Sequence, residues 1–268
     1  MPELTIGVPV RNQLPFARAC LESLARRRRP GTRILVVDDD SRADCSEYLE
    51  EFAIAMPATS LLRNSQRRGF PYNCNEILYN SSTPLICILN SDTIVAPGWE
   101  AFLVEALAAN SECALAGPST SFAHTAQCLS SLVASRMEQD ETAVAAIGEN
   151  VYRLYRGRYR LLPSLGGFCL LFTRDLVRRI GFFDERFGLG GGEEDDFIRR
   201  AKVAGFGAVW VMYAYVHHFG HCTFTDELGL ASSALWTKNR LIYQIKKLSP
   251  EISPLIHPHS EGGPLGGH

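Results

Sequence analysis

Short apolar runs alternate with amphipathic stretches along the first ninety residues of the chain. The runs are rich in β-branched residues and predict buried strands, and the stretches between them carry apolar side chains at helical spacing. The predicted strands are LTIGVPV (4–10), RILVVDDD (33–40), a short one near 59–62, and LICIL (85–89). The predicted helices are LPFARACLESLARRRR (14–29), SRADCSEYLEEFA (41–53) and a segment near 72–79. Strands alternating with helices of this length indicate βαβ units in an open, mostly parallel α/β sheet.

The pattern changes after residue 97. A helix and a short strand are followed by irregular, polar residues over 118–160. The clear elements of this half are GWEAFLVEALAAN (98–110), CALAGP (113–118), LGGFCLLFT (165–173), EEDDFIRRAKVAG (193–205) and GAVWVMYAYVHH (207–218). An amphipathic, basic helix over 232–248 and a Pro/Gly-rich tail over 249–268 follow, and the tail is expected to be disordered. We therefore expect one domain over residues 1–225, with a helix and flexible tail over 226–268.

Charge and hydropathy narrow the class of protein. The 27 Lys and Arg nearly balance the 29 Asp and Glu, so composition gives no indication of nucleic-acid binding. No uninterrupted apolar run approaches the roughly 20 residues that span a bilayer. A strand beginning at Leu4 leaves no room for a cleavable signal peptide. We expect a soluble, cytoplasmic protein.

The eight cysteines are scattered singly, with no CxxC pair and no spacing typical of a disulfide framework. Most lie among apolar residues, which predicts buried thiols in a reducing compartment. The segment VHHFGHC (216–222) offers three histidines and a cysteine, but no second ligand cluster with zinc-finger spacing accompanies it. We therefore do not expect a structural zinc site.

Three groups of acidic residues lie at strand ends or at the start of a helix. Residues 38–40 are DDD at the end of the second strand, Asp92 follows LICIL in LNSD, and residues 193–196 are EEDD after a glycine-rich loop. Any one group could simply complement a helix dipole. Ligands of an open parallel sheet bind beyond the carboxyl ends of its strands, however, and carboxylates there suit a hard cation. The three groups together favour Mn²⁺ or Mg²⁺ with a diphosphate.

The usual phosphate-binding loops are missing. The chain has no GxxxxGK[ST] and no GxGxxG after the first strand, which disfavours P-loop and dinucleotide-binding proteins. The glycine-rich GLGGGEE (188–194) lies far from the first strand–helix turn and ends in acids that would repel phosphate. A metal ion is therefore expected to neutralise the diphosphate charge.

Six motifs, in order, resemble those of glycosyltransferase family 2, the inverting transferases with the GT-A fold. The resemblance runs from about Leu4 to Phe224. It rests on TIGVPVRNQLPFARACLESL (5–24), ILVVDDDS (34–41), NSQRRGFPYNCNEIL (64–78), LNSDT (89–93), IGFFDERF with GGGEEDDFIRR (180–187 and 190–200), and HHFGHCTF (217–224). The resemblance implies an open Rossmann-like sheet flanked by helices, with a nucleotide-binding half over 1–95 and an acceptor-binding half over 96–225.

The resemblance implies a role for each acidic group. Asp39 would accept a hydrogen bond from the nucleotide base, with Pro9 lining the same pocket. Asp92 would bind a divalent cation, Mn²⁺ or Mg²⁺, that bridges the donor diphosphate. Glu194 matches the position of the catalytic base, and Glu193 and Asp195 are the alternatives.

The resemblance also assigns supporting residues. His217 or His218 would complete the metal or diphosphate shell. Gly166 and Gly167 would let the donor or acceptor approach the backbone closely. The other positions implied to bind the nucleotide sugar are Arg11, Asn64, Gly69, Asn73, Asn90 and Ser91.

Two positions depart from the family pattern. Asn90 stands where the first Asp of the DxD motif is usual, so a weaker metal site is expected. Glu194 stands where Asp is commoner as the base, which lengthens the side chain by one methylene. This second departure is the reason that Glu193 and Asp195 stay open as the base.

The implied activity is transfer of a hexosyl or deoxyhexosyl group, with inversion, from a UDP-, GDP- or dTDP-sugar to a glycan, a lipid-linked acceptor or a protein. The implied setting is cell-surface polysaccharide biosynthesis in the cytoplasm or at the inner face of its membrane.

Two other functions are alternatives to this glycosyltransferase activity. A sugar-1-phosphate nucleotidyltransferase would need a glycine-rich basic loop after the first strand, and VPVRNQLPF contains no glycine. A non-catalytic module that binds a sugar nucleotide or a partner protein is kept open by Asn90.

Two basic segments have structural explanations as well as functional ones. The cations of ARRRRP (25–30) are expected to complement the dipole at the end of a helix rather than bind phosphate. The 232–248 helix combines Trp236 and aliphatic residues with lysines, a composition that suits a membrane surface. The same helix could pack on the domain or form a homodimer, because periodicity does not separate these arrangements.

Overall fold

The computed structural model describes residues 3–129, 140–220 and 231–248, so the predicted disordered tail (249–268) lies outside the described residues. The strands are β1 (Leu4–Val10), β2 (Arg33–Asp38), β3 (Thr59–Arg63), β4 (Leu85–Leu89), β5 (Thr93–Val95), β6 (Cys113–Ser119), β7 (Tyr159–Leu161), β8 (Cys169–Thr173) and β9 (Gly207–His218). The helices are α1 (Leu14–Arg27), α2 (Ala43–Ala55), α3 (Phe70–Asn80), α4 (Trp99–Ala109), α5 (Glu141–Tyr155), α6 (Arg174–Ile180), α7 (Glu193–Val203) and α8 (Ala231–Leu248). A 3₁₀ turn spans Glu185–Phe187.

Within these ranges the strands form one open, nine-stranded sheet in the order β3-β2-β1-β4-β8-β6-β9-β5, and β7 pairs with β9. The first half confirms the predicted βαβ units, because β1 pairs in parallel with β2 and β4, and β2 with β3. Side chains of β2 alternate between the two helical layers, with Ile34 and Val36 in one and Leu35 and Val37 in the other. The carboxyl ends of β1, β2 and β4 therefore share one edge.

The second half of the sheet is mixed, so a mostly parallel arrangement holds only for the first half. β8 runs antiparallel to both β4 and β6, and β9 is parallel to β6 but antiparallel to β5 and β7. β8 begins where β4 ends, with Cys169 opposite Leu89, and the N–H of Asn90 donates to the carbonyl of Phe168 (2.8 Å). This reversal brings the 164–168 loop beside the end of β4.

Helices cover both faces of the sheet. Leu21 of α1, Leu49 of α2 and Leu103 of α4 pack on one face. Ile77 of α3 and Phe197 of α7 pack on the other. The described cysteines are free, and all are buried except Cys128, which is partly exposed, so buried thiols are confirmed for that part of the chain.

Residues 118–160 are not irregular throughout, as the sequence had suggested. They contain α5, whose buried Val144, Gly148 and Val151 recur at helical spacing, and the short strand β7. Asp140 caps α5 by accepting a hydrogen bond from the N–H of Ala143 (2.8 Å). The helical spacing is thus present in the sequence, and the expectation of irregular structure was wrong for residues 141–155.

The basic run at the end of α1 fixes neighbouring helices. Arg26 and Arg27 pair with Glu141 of α5. Arg29 pairs with Glu100 of α4 (2.7 Å), which is buried. The structural explanation of these cations therefore accounts for Arg26, Arg27 and Arg29 without a phosphate.

The C-terminal helix α8 packs on the domain through one face. Asn239 and Lys246 are both 1 % exposed, and they lie seven residues apart, which is about two helical turns. On another face, Leu241, Ile245 and Leu248 are exposed. No described helix is long and apolar enough to cross a membrane.

Candidate active site

A cleft of about 480 Å³ opens at the sheet edge where β1, β2 and β4 end. Acids from all three groups of the sequence line it, namely Asp39, Asp92 and residues 193–195. Every site residue predicted from the sequence lines the cleft except Asn64 and His217. Helix capping does not require acids from three separate elements to meet, so their convergence favours a binding site.

Asp39 is tied to the loop that follows β3. Its Oδ1 accepts hydrogen bonds from the Arg68 N–H (2.7 Å) and from Nδ2 of Asn64 (3.0 Å), and its Oδ2 accepts one from the Gly69 N–H (2.9 Å). Asp39 is 2 % exposed. A carboxylate has about four acceptor positions, so one remains for a ligand. Asp39 therefore shapes this end of the cleft in addition to lining it.

Asn64 supports the cleft from behind. Besides Asp39, its Nδ2 donates to Oδ1 of Asn73 (2.8 Å), which does line the cleft. Gly69 follows with φ +94°, and a Cβ there would lie 2.3 Å from the carbonyl oxygen of Gly188. Only glycine permits this contact, which joins the nucleotide-binding half predicted from the sequence to the glycine-rich loop of residues 188–192.

Arg11 fixes the end of β2. Its Nη1 donates to the backbone carbonyls of Asp39 and Asp40, both at 2.5 Å, and lies 3.5 Å from Oδ2 of Asp40. Pro9 and Arg11 line the cleft beside Asp39. The guanidinium thus holds the strand end in place and contributes positive charge to the cleft.

Asp92 and His218 face each other at the centre of the cleft. Oδ1 of Asp92 lies 3.3 Å from Nε2 of His218. Nδ1 of the same ring lies 2.9 Å from the carbonyl oxygen of Phe122, which can only accept, so the neutral ring carries its proton on Nδ1. In this tautomer Nε2 presents a lone pair towards the carboxylate, an arrangement that a cation shared by the two groups would stabilise.

The chemistry of this pair fits a divalent metal ion. Among the described residues, Oδ1 of Asn90 is buried without a hydrogen-bond partner, and Nε2 of His218 is buried with none besides its approach to Asp92. A histidine that donates its other ring N–H to a backbone carbonyl is the usual arrangement of a metal ligand. No group of three or more His, Cys, Asp or Glu within the described ranges could hold a metal, so further ligands would come from a bound diphosphate or water.

His217 lies on the other side of β9. It is fully buried, its Nδ1 lies 3.1 Å from the hydroxyl of Tyr215, and its ring contacts Phe219 edge to face. Successive residues of a strand point to opposite faces, so only one of the two histidines can face the cleft. The structure places His218 there.

The acids at the start of α7 are poised to hold a proton. Burial, followed by the charge of Glu194, raises the pKa of Glu193 well above its usual range. Burial, followed by the charge of Asp195, also raises the pKa of Glu194. The Gly191 N–H donates to Glu193, and the Gly192 N–H to Glu194 (3.2 Å). A carboxylate with a raised pKa is a better general base near neutral pH.

Gly167 lets Glu194 approach the 164–168 loop. A Cβ on Gly167 would lie 3.0 Å from Cγ of Glu194 and 3.1 Å from its Cβ. The space expected to admit a donor or acceptor at Gly167 is therefore taken up by the Glu194 side chain. Gly166 donates its N–H to Oε1 of the buried Gln127 (2.7 Å), which anchors the loop.

Several cleft residues were not predicted as site residues, although Arg67 and Phe70 lie within the motif of residues 64–78. Trp236 reaches the cleft from α8, and Arg67 and Phe70 line it from the loop before α3 and its first turn. Residues 122–125, FAHT, line it from a segment that sequence analysis treated as irregular. Residues 122–125 and Trp236 lie far along the chain from the first strands, and the fold brings them to the strand ends.

Comparison with known proteins identifies the family. The model of Glycosyl transferase family 2 matches residues 5–181, more than half of the chain. Uncharacterized proteins of Mycobacterium tuberculosis (strain ATCC 25618 / H37Rv) and Mycobacterium bovis are each 28% identical over 229 residues, covering 84% of this chain and 77% of theirs. The resemblance noted in the sequence is thereby confirmed.

Solved structures share the fold. GalNAc-T7 with UDP, GalNAc and Mn²⁺ aligns with a TM-score of 0.63 and 14% identity, covering 81% of this chain and 44% of that one. The mannosyltransferase PcManGT from Pyrobaculum calidifontis, in complex with GDP-Man and Mn²⁺, aligns with a TM-score of 0.63 and 17% identity, covering 95% and 66%. This chain thus spans two thirds or less of each of these proteins. The likeness shows that the mixed sheet has the GT-A fold.

Proposed function

The chain belongs to glycosyl transferase family 2, and on that premise we propose that it transfers a hexosyl or deoxyhexosyl group from a nucleotide sugar to an acceptor hydroxyl with inversion. The observation that carries the proposal is the meeting, in one cleft, of the Asp92–His218 pair with Glu194. A cation can stabilise the departing diphosphate, and a base of raised pKa can take the proton of the acceptor hydroxyl, so the two together suit a single displacement at an anomeric carbon.

The metal would be Mn²⁺ or Mg²⁺, held by Asp92 and His218 with Asn90 able to add an oxygen. When bound, it supplies positive charge that stabilises the departing diphosphate. The Mn²⁺ present in the complexes of GalNAc-T7 and PcManGT supports this choice. The chain's own contribution is to fix Asp92 at the end of β4 and to orient the His218 ring through Phe122, so that Nε2 faces Asp92.

Glu194 is the proposed base. It takes the proton from the acceptor hydroxyl while that oxygen attacks the anomeric carbon and the bond from this carbon to the diphosphate oxygen breaks. Gly167 leaves it room, and the Gly192 N–H orients Oε2. Glu193 is more deeply buried at 4 % exposure and Asp195 is exposed, so Glu194 is the acid that combines a raised pKa with access to the cleft.

The donor would be a UDP-, GDP- or dTDP-sugar bound at the end of the cleft formed by Pro9, Arg11 and Asp39. UDP in GalNAc-T7 and GDP-Man in PcManGT support a nucleotide sugar as a class. The acceptor would be a glycan, a lipid-linked sugar or a protein. A non-catalytic nucleotide-binding module is the other candidate, and the convergence of Glu194 with the Asp92–His218 pair in one cleft favours the enzyme over it.

We also propose that the outer face of α8 contacts an anionic membrane. Leu241, Ile245 and Leu248 are 61%, 47% and 85% exposed and recur at spacings of four and three residues. Lys238, Arg240 and Lys247 are exposed on the same helix, which has no acidic residue. Pairing with a second copy would bring these like charges together, so an anionic lipid surface is the better complement.

The proposed function is tested by thermal melting with UDP, GDP and dTDP, each with and without Mn²⁺, on the wild-type protein and Asp92→Asn. A ligand that binds only the folded state raises Tm by mass action. We expect one nucleotide to raise Tm in a Mn²⁺-dependent way, and the substitution to remove that increase. Absence of a shift with every nucleotide would overturn the donor assignment.

A further inference from the structure

Helix α8 supplies a wall of the cleft that lies beyond the family match, which ends at residue 181. Its contribution is Trp236, which lines the cleft together with Gly191, Gly192 and Asp195. The ring is 47% exposed, whereas Trp99 and Trp210, the other two tryptophans of the chain, are 1% and 4% exposed. A half-exposed indole in a cleft is a surface available to a ligand.

Two buried anchors hold α8 against the glycine-rich loop. Nδ2 of Asn239 donates to the carbonyls of Phe187 and Gly190, both at 2.9 Å. Nζ of Lys246 donates to Asp184 (2.5 Å) and Asp196 (2.7 Å). Seven residues separate Asn239 and Lys246, so they lie on one face of the helix. The position of Trp236 is therefore fixed by the same segment that carries the acids of α7.

Trp236 packs directly on that loop. A Cβ on Gly191 would lie 3.0 Å from Cζ3 of the indole, and Gly191 has φ +102°. The N–H groups of Gly191 and Gly192 donate to Glu193 and Glu194. One peptide segment thus supports the indole ring and orients the proposed base.

The surroundings of the indole suit a sugar ring better than a nucleotide. Asp195 is exposed beside it and accepts a hydrogen bond from Ser164 (3.1 Å), so an apolar ring face adjoins hydrogen-bonding groups. A pyranose presents C–H groups on its face and hydroxyls at its edge, which matches both. A nucleotide would place its phosphates near residues 193–195, where like charges repel. The proposed nucleotide site, at Pro9 and Asp39, lies instead at the ends of β1 and β2.

We propose that Trp236 forms the floor of an acceptor subsite and that the acceptor presents a pyranose ring to it. The proposal rests on the proposed function, because an acceptor hydroxyl must reach Glu194 from this subsite. It narrows the acceptor to a glycan, free or carried on a larger molecule. Trp236 then determines acceptor binding, whereas Asn239 and Lys246 position it.

The test uses tryptophan fluorescence of the full chain, which needs no turnover. Acrylamide quenching of the wild type should report mainly Trp236, and Trp236→Phe should leave the slow quenching of two buried tryptophans. Methyl pyranosides of glucose, galactose, mannose, rhamnose and N-acetylglucosamine are added in turn, with sorbitol as an open-chain control, in the presence and absence of UDP or GDP with Mn²⁺. We expect at least one pyranoside to protect Trp236 and sorbitol not to.

Each outcome bears on the subsite separately from the proposed function. Protection by a pyranoside supports the subsite even where no nucleotide raises Tm. Protection by UDP or GDP alone would place Trp236 at the donor and overturn the proposal, as would a lack of protection by every pyranoside. With the most protective pyranoside, Trp236→Ala should weaken binding about 2- to 10-fold by equilibrium dialysis, and Trp236→Phe should restore most of it.

Discussion

Nε2 of His218 lies 3.3 Å from Oδ1 of Asp92, with the ring oriented from behind by the carbonyl of Phe122. Asp92 follows β4, and His218 ends β9, which pairs with β5 immediately after Asp92. The pairing of Thr93 with His218 is therefore what brings the two side chains together. A carboxylate oxygen and an imidazole nitrogen held in this way could supply two ligands of the proposed cation site.

Substitution of His218 should weaken the binding of Mn²⁺. His218→Gln removes the Nε2 ligand, and we expect the Mn²⁺ concentration needed for the nucleotide-dependent rise in Tm to increase at least about 10- to 100-fold. His217→Gln is the matched control because His217 does not line the cleft. The loss of its contact with Tyr215 should lower Tm, but the Mn²⁺ dependence should stay the same. An unchanged Mn²⁺ dependence in His218→Gln would exclude His218 as a ligand.

The pH dependence of activity should report Glu194. A base acts only when ionised, so activity should fall as pH drops through its pKa, and burial together with Asp195 raises that pKa. The acid limb of kcat/KM should therefore lie above the value of about 4.3 for an exposed glutamate. Asp195→Asn removes the neighbouring negative charge and should move the limb to lower pH. Glu194→Gln should reduce activity at every pH, by roughly 10²- to 10⁴-fold.

The opposite shift would change the assignment of the base. If Asp195→Asn moves the acid limb upward or abolishes activity as completely as Glu194→Gln, Asp195 takes part in proton transfer itself. If Glu193→Gln alone abolishes activity while Glu194→Gln retains it, Glu193 is the base. Thermal melting of each variant separates these results from loss of the fold.

Sequence alone predicted which residues would line the cleft better than it predicted the second half of the sheet. The acids at residues 39, 92 and 194 lie at strand or helix ends, and such positions can be recognised from local patterns. The antiparallel β8 and the contribution of Trp236 depend on contacts between segments far apart in sequence, such as Leu89 with Cys169. The sequence also did not predict that Asp39 holds the loop after β3, since the three groups that donate to its carboxylate lie about 25–30 residues away.

Asp39 should stabilise the nucleotide-binding end of the cleft even without a ligand. Asp39→Asn replaces one acceptor oxygen by an N–H₂ group that would face a backbone N–H, and we expect a loss of about 1–3 kcal/mol in the free energy of unfolding. The nucleotide-dependent rise in Tm should also shrink. Asp40→Asn is the control, because Asp40 is exposed and has φ +60°, a conformation that Asn adopts readily. Equal effects of the two substitutions in urea unfolding would contradict this role.

The outer face of α8 should bind anionic vesicles. We expect the protein to sediment with vesicles of phosphatidylglycerol but not with those of phosphatidylcholine, and to be released by salt. Leu241→Ser with Ile245→Ser should abolish sedimentation while the buried face, Asn239 and Lys246, stays intact. Sedimentation that persists in this variant would contradict the assignment. If light scattering shows a dimer and this variant is a monomer, the outer face of α8 binds a second copy of the chain instead.

Lys246 should couple the C-terminal helix to the acids of α7. Burial alone would raise the pKa of Asp184 and of Asp196. Hydrogen bonds from Arg186 and Lys246 nevertheless lower the pKa of Asp184. Arg200 and Lys246 lower the pKa of Asp196 in the same way. Lys246→Met removes the charge common to both. The cost has an upper limit of about 3–5 kcal/mol, because both aspartates keep arginine partners.

The expected signature of Lys246→Met is loosening of α8 ahead of global unfolding. Hydrogen exchange should speed up in residues 231–248 and in the glycine-rich loop, while β1 and β2 stay protected. Acrylamide should reach Trp236 more readily, since one of the two buried anchors of the helix would be lost. Lys247→Met removes an exposed charge on the next residue and should change neither measurement. Faster exchange throughout the sheet in Lys246→Met would instead show that the ion pairs of Lys246 stabilise the whole fold. The expected local loosening of α8 would then be contradicted.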